Sequence, residues 1–247
     1  MDSANRRERR RYKDRREAGR ALAGLLRDFQ GRDDVVVLGL PRGGVPVAYE
    51  VALMLQAPLD VAVVRKVGLP GHPDCAMGAV AGGGVFVRDD QVVHWYRIPS
   101  SVVEQVARAE QIELERRQRA YRGLRRPLSL EDRVVILVDD GLATGVTMAA
   151  AAMAVRRLRP SRVIAAVPVA APGLCRTLEY CADAVVAGLV PDVFRGIARS
   201  YEAFGRTSED EVVRLLAASD LARRRLLPLP STPLVSGAEL VGTVAAA

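Results

Sequence analysis

With 247 residues and 49% hydrophobic side chains, the chain is long enough for one well-packed domain plus appendages. Its net charge of +7 comes almost wholly from arginine, Lys13 and Lys66 being the two lysines, and fits either biased composition or a phosphate-rich partner. Three cysteines without a C-x-x-C, and two histidines, His72 and His94, argue against a disulfide framework, a histidine metal site or a histidine triad. A reducing cytoplasm is the expected compartment. No signal peptide follows the basic start, and the longest apolar run, residues 163–175, is too short to cross a bilayer.

The elements follow in chain order. Residues 6–17, R-R-E-R-R-R-Y-K-D-R-R-E, form a basic run expected as a solvated helix start or frayed end rather than a nucleic-acid contact. Residues 18–29 read as a helix with Ala18, Leu22, Leu25, Leu26 and Phe29 on one face. Residues 35–40 are an apolar run, the pattern of a buried parallel strand. It ends in G-L-P-R-G-G, before a helix over 45–55. Taken alone, Pro41, Arg42, Gly43 and Gly44 make either an anion-binding loop or a plain turn. The next strand is 59–64, leading into a Gly- and Pro-rich segment, 65–84, with the profile of a mobile functional loop. Lys66 at its root either neutralises an anion or is an ordinary surface lysine.

Residues 85–87 and 92–95 suggest a short β excursion, with Trp95, the single tryptophan, packed inside. Ser101 opens a long helix to about residue 122, with Glu104 as its capping-box partner and charges along an exposed face. Tyr121, Arg122, Arg125 and Arg126 gather at its end, as a solvated terminus or as phosphate contacts from a neighbouring subunit.

The most informative stretch is 134–147, V-V-I-L-V-D-D-G-L-A-T-G-V-T. An apolar strand ends in Asp139 and Asp140; a loop of Gly141, Ala143, Thr144, Gly145 and Thr147 then opens an alanine-rich helix over 148–158. A loop at a helix N-terminus turns backbone N–H groups to one side and suits a phosphate dianion. Two carboxylates repel phosphate and accept hydrogen bonds, which suits the hydroxyls of a sugar. A ribose 5-phosphate satisfies both halves. An Asp-Gly hairpin is the alternative, but helical composition follows rather than alternation. Beyond it lie a strand at 162–169, a helix at 173–180, a strand at 184–189 and a helix at 208–218 capped by Ser208. The order predicts an α/β fold, a central, mostly parallel sheet flanked by helices, with ligands beyond the carboxyl ends of the strands.

At V-D-D-G-L-A-T-G-V-T-M the chain resembles the type I phosphoribosyltransferases, and most of all the adenine-type branch and its uncharacterised neighbours. The resemblance extends over about residues 14–218 and is strongest at 134–148 and 38–48. It implies transfer of ribose 5-phosphate from 5-phosphoribosyl 1-diphosphate to a nitrogen acceptor, a nucleobase by expectation. Asp139 and Asp140 would hold the ribose hydroxyls, and Gly141, Ala143, Thr144, Gly145 and Thr147 the 5-phosphate. Pro41, Arg42, Gly43 and Gly44 occupy the place of the family's diphosphate loop, where an unusual cis peptide is common. Lys66 and Arg42 would carry the chemistry on the diphosphate, with Mg2+ as cofactor held through the substrate and reaching Asp139 and Asp140 only through water. Phe194 matches the aromatic that stacks on the base, with Tyr201 and Phe204 as rivals and core packing as the alternative.

The family pattern also implies a homodimer and one domain over 1–225, with a small hood from 85–100 and 190–205, followed by a tail at 226–247. One departure counts against the hypoxanthine-guanine subclass: Ala143 stands where those enzymes carry a carboxylate. A non-catalytic regulator that binds nucleic acid through its arginines, and a phosphosugar or nucleotide hydrolase, are the competing functions.

Overall fold

The computed structural model describes residues 11–174 and 178–226. The basic run up to residue 10, the middle of the expected 173–180 helix and the tail from 227 lie outside the described residues.

Five strands build the main sheet: β1 (Val35–Gly39), β2 (Leu59–Val61), β6 (Val134–Val138), β7 (Arg162–Val169) and β8 (Ala184–Leu189). Their order is β2-β1-β6-β7-β8, and every pairing is parallel. In β1 and β6 all five residues are buried, because helices cover both faces. Alternate residues divide between two cores. Val35, Val37, Ile136 and Val138 face α1 (Arg15–Leu25), α2 (Gly44–Leu55) and α6 (Glu209–Leu226). Val36, Leu38, Val135 and Leu137 face α5 (Val146–Arg156).

The chain runs from β1 outward to β2 on one side and later enters β6 on the other side of β1. The connections from β1 and β6 therefore go to opposite sides of the sheet, and the carboxyl ends of these two strands form its switch point, the usual crevice for a ligand in an open α/β sheet.

A second sheet of three antiparallel strands, β3 (Val64–Leu69), β4 (His72–Ala81) and β5 (Val85–Arg88), replaces the expected loop over 65–84. Gly71, at φ +79°, closes the β3–β4 turn. Gly78 lets β4 approach β5, since a Cβ there would lie 2.2 Å from the Val87 carbonyl oxygen. The strand expected over 59–64 accordingly stops at Val61, and the chain crosses to the second sheet at Val64. Its inward side chains, Val67, Leu69, Met77 and Val80, join the core through α4 (Ser100–Arg122).

Other expectations are corrected. Residues Asp90–Trp95 are a helix, α3, capped by the Asp89 carboxylate, which accepts from the Val92 amide at 3.0 Å. Trp95 is 82% exposed rather than packed. Helix α4 begins at Ser100 after Pro99 with no side-chain cap, so Ser101 and Glu104 form no capping box. Leu25 is 55% exposed, because α1 ends there and a 3-10 turn at Arg27–Phe29 follows. The end of α4 is solvated only in part, at exposed Leu124 and Arg126. Tyr121 is buried, Arg122 binds buried Asp60, and Arg125 binds Asp220. The Ser208 hydroxyl does cap α6, accepting from the Glu211 amide at 3.1 Å.

Candidate active site

The crevice is lined by the loops after β1 and β6. Beyond Gly39, the Leu40 amide still donates to the Val138 carbonyl at 2.8 Å, so the loops leave side by side. The Pro41–Arg42 peptide is cis. The Gly44 amide is committed to the Leu40 carbonyl at 3.0 Å, whereas the Gly43 amide has no acceptor among the described residues. A Cβ on Gly43 would lie 2.1 Å from Asp140 Oδ2, and one on Gly44 2.8 Å from Asp139 Cα. These glycines are thus required by the fit between the two loops themselves.

Asp139 and Asp140 end β6. Asp139 Oδ1 accepts from the Asp140 amide at 2.8 Å. Asp140 Oδ2 accepts from Arg15 Nε at 2.9 Å and lies 2.8 Å from Arg15 Nη2. Asp139 Oδ2 and Asp140 Oδ1 have no partner among the described residues. They are not sealed in, since Arg125 Nη1 is the one buried, unpartnered side-chain nitrogen or oxygen among those residues. Both open oxygens therefore meet solvent.

Burial holds the Asp139 carboxyl well above the usual carboxylate range, and the neighbouring Asp140 charge adds to it. Burial also raises Asp140, against which the Arg15 guanidinium acts. The pair as a whole favours a partner that donates hydrogen bonds.

The loop then turns under Ile197, which leaves no room for a Cβ on Gly141. Buried Leu142 pins it, donating to the Val169 carbonyl and accepting from the Ala171 amide. Ala143 and Thr144 emerge into solvent, and Gly145 takes φ +75° to open α5. The backbone amides from Ala143 to Thr147 have no acceptor among the described residues, and α5 has no side-chain cap. Open donors at the start of an 11-residue helix have the chemistry that suits an anion. Thr144 and Thr147 are exposed beside them.

The crevice thus unites Gly43, Gly44, Asp139 and Asp140 by direct packing, with Gly141, Ala143, Thr144, Gly145 and Thr147 continuing from it. Arg42 projects into solvent from the same loop. Lys66 is exposed on β3, opposite Ala79 on the second sheet, and its neighbour Arg65 is paired with Glu110 of α4. Phe194 is half-buried against the cluster of Tyr12, Val169 and Tyr201. Its rivals are engaged elsewhere: the Tyr201 hydroxyl donates to the Asp140 carbonyl at 2.6 Å, and Phe204 lies under the Arg15 guanidinium at 3.9 Å. Burial, then the Asp140 charge, pushes the Tyr201 phenol far up, so it remains a donor.

Arg15 is the residue that sequence reasoning missed. It belongs to the run expected to be solvated, yet its side chain is 13% exposed. Its partner lies 125 positions away, and no local pattern marks such a pair.

The described residues hold no group of three or more His, Cys, Asp and Glu side chains placed to bind a metal ion. None of their helices is long and apolar enough to cross a membrane.

Comparison with known proteins gives a consistent result. A family model described as a phosphoribosyl transferase domain matches residues 10–187. Two Mycobacterium tuberculosis proteins, from strains H37Rv and CDC 1551 and named "Putative phosphoribosyl transferase", are each 44% identical over 205 residues. The match covers 83% of this chain and 46% of theirs, so the chain spans about half the length of these relatives. The crystal structure of TT1426 from Thermus thermophilus is 42% identical, with a TM-score of 0.76 over 84% of this chain and 98% of that one.

Proposed function

This chain belongs to the phosphoribosyl transferase domain family, and from that premise we propose that it moves ribose 5-phosphate from 5-phosphoribosyl 1-diphosphate to a nitrogen acceptor, a nucleobase by preference, releasing diphosphate. The observation that carries this reading is one continuous edge bearing two open carboxylate oxygens, at Asp139 and Asp140, followed by open amides from Ala143 to Thr147. The first half accepts from a vicinal diol; the second donates to a phosphate.

The chemistry follows from where charge develops. As the bond from the anomeric carbon to the diphosphate oxygen breaks, the sugar ring gains oxocarbenium character and the leaving group takes the electron pair. Asp139 and Asp140 hold the ring hydroxyls and place negative charge beneath the developing cation. The amides at 143–147, with the hydroxyls of Thr144 and Thr147, anchor the 5-phosphate and fix the ring for in-line attack by the acceptor nitrogen. Arg42, the Gly43 amide and Lys66 meet the departing diphosphate, Lys66 from the root of the β3–β4 hairpin. Phe194 supplies a face for the acceptor ring.

Magnesium fits this donor set: two hard oxygen ligands without a protein cage suit an ion carried mainly by substrate oxygens and water. Asp139 and Asp140 would hold it through water, and it would neutralise charge on the diphosphate.

The test is a panel of purines, pyrimidines and other nitrogen acceptors with labelled 5-phosphoribosyl 1-diphosphate, magnesium and purified protein. Acceptor-dependent release of diphosphate is expected. Phosphate release without any acceptor would favour a hydrolase instead, and specific nucleic-acid binding without turnover a regulator.

A further inference from the structure

Two segments far apart in sequence converge on Asp140. From the N-terminal side, Tyr12 bridges Tyr201: its amide donates to the Ser200 carbonyl at 2.9 Å and its carbonyl accepts from the Glu202 amide at 2.8 Å. The Ala203 amide adds a bond to the Lys13 carbonyl at 2.9 Å. Arg15 follows at the start of α1. Its guanidinium meets Asp140 Oδ2 through Nε and Nη2, donates from Nη1 to the Gly205 carbonyl at 2.7 Å, and rests on the Phe204 ring. From the C-terminal side, the Tyr201 hydroxyl donates to the Asp140 carbonyl at 2.6 Å. Asp140 is gripped at its main chain by one segment and at its side chain by the other.

The grip is asymmetric. Both Arg15 contacts fall on Oδ2, the oxygen that also faces Gly43, and leave Oδ1 turned outward. A guanidinium whose remaining nitrogen is tied to a carbonyl, and whose face is stacked, can hold a carboxylate in a single orientation.

We propose that Arg15 is a positioning residue of the ribose site: it fixes the Asp140 carboxylate so that Oδ1 faces the sugar hydroxyls, and it ties the 201–205 segment to that carboxylate. This inference rests on the reading that the acid pair holds the ribose diol. All three guanidinium nitrogens of Arg15 are committed to Asp140 and the Gly205 carbonyl, so it acts on the sugar through Asp140. Its removal therefore degrades recognition of the hydroxyls and leaves the phosphate loop intact.

Calorimetric titration of the full chain with ribose 5-phosphate and with 2-deoxyribose 5-phosphate separates the two ideas. The wild-type chain should prefer the ribose compound by about tenfold or more, the weight of a hydrogen bond to a charged group. In Arg15→Ala that preference should collapse to about twofold or less, with affinity for the deoxy compound unchanged. Arg15→Lys keeps the cation but loses the two-point grip, and should retain an intermediate preference. If Arg15→Ala does not fold, Arg15→Lys alone decides: a preference equal to wild type overturns the proposal. So does a full preference in both variants. A wild-type chain that binds both sugars equally refutes the diol reading itself, which is a different failure.

Discussion

Among the described residues, two buried acid–arginine pairs join distant parts of the chain, and they differ in what they leave open. Asp60, in the edge strand β2, accepts from the Val61 amide at 2.8 Å, from Arg122 Nε through both oxygens at 2.8 and 3.1 Å, and from the Leu128 amide at 3.4 Å. Both of its oxygens are engaged. Asp140 meets Arg15 through one oxygen and keeps the other free, beside an Asp139 that also keeps one free. A saturated carboxylate ties the end of α4 to the sheet. A half-saturated pair at the carboxyl edge leaves acceptor capacity open to solvent.

If the contrast is sound, breaking each region should damage a different property. Arg122→Ala removes the partner of an acid that is 4% exposed, so unfolding free energy in urea should fall by about 3–5 kcal/mol. The double change Asp139→Asn with Asp140→Asn should weaken 5-phosphoribosyl 1-diphosphate binding about a hundredfold or more in calorimetry, as two charge-assisted interactions are lost, while the circular dichroism spectrum is retained. Unchanged affinity would remove the acid pair from the site. Gly43→Ala forces a methyl to within 2.1 Å of Asp140 Oδ2 and should both reduce affinity and lower stability by about 1–3 kcal/mol in a urea melt.

A smaller effect sharpens the comparison through pH. The Asp139 carboxyl is raised in the folded protein, mainly by burial, so folding favours its protonated form. That contribution to stability is complete below the ordinary carboxylate range and is lost as pH rises through the folded value. Asp139→Asn cannot ionise, so thermal melts should show it more stable than wild type at pH 7 and level with it at pH 3. The least effect is expected from Glu113→Gln. The ion pairs of Glu113 with Arg116 and Arg117 lie on the exposed face of α4, and their loss should leave the melting midpoint unchanged.

The parallel sheet was legible because β1 and β6 are continuous apolar runs whose ends carry the loop chemistry. Residues 134–147 revealed strand, acid pair and helix opening together, since all three are local in sequence. The second sheet was hidden by its own composition. The segment 64–81 turns Val67, Leu69, Met77 and Val80 inward, but Met77 and Val80 lie three apart, off the two-residue period, and its many Gly, Ala and Pro residues are poor strand formers. The Pro70-Gly71 turn marked a hairpin in plain view. Trp95 misled in the opposite direction, because a large apolar ring is usually inside. The Arg15–Asp140 and Arg122–Asp60 pairs were beyond reach, as each depends on which helix the fold sets against which strand end.

Because Trp95 is the single tryptophan and stands almost fully in water on α3, the native protein should already emit the red-shifted indole fluorescence of a denatured chain. Emission would then be nearly blind to melting of the sheet. The same placement makes the indole a reporter for whatever settles against the second sheet, since only a new neighbour there would shift its colour to the blue.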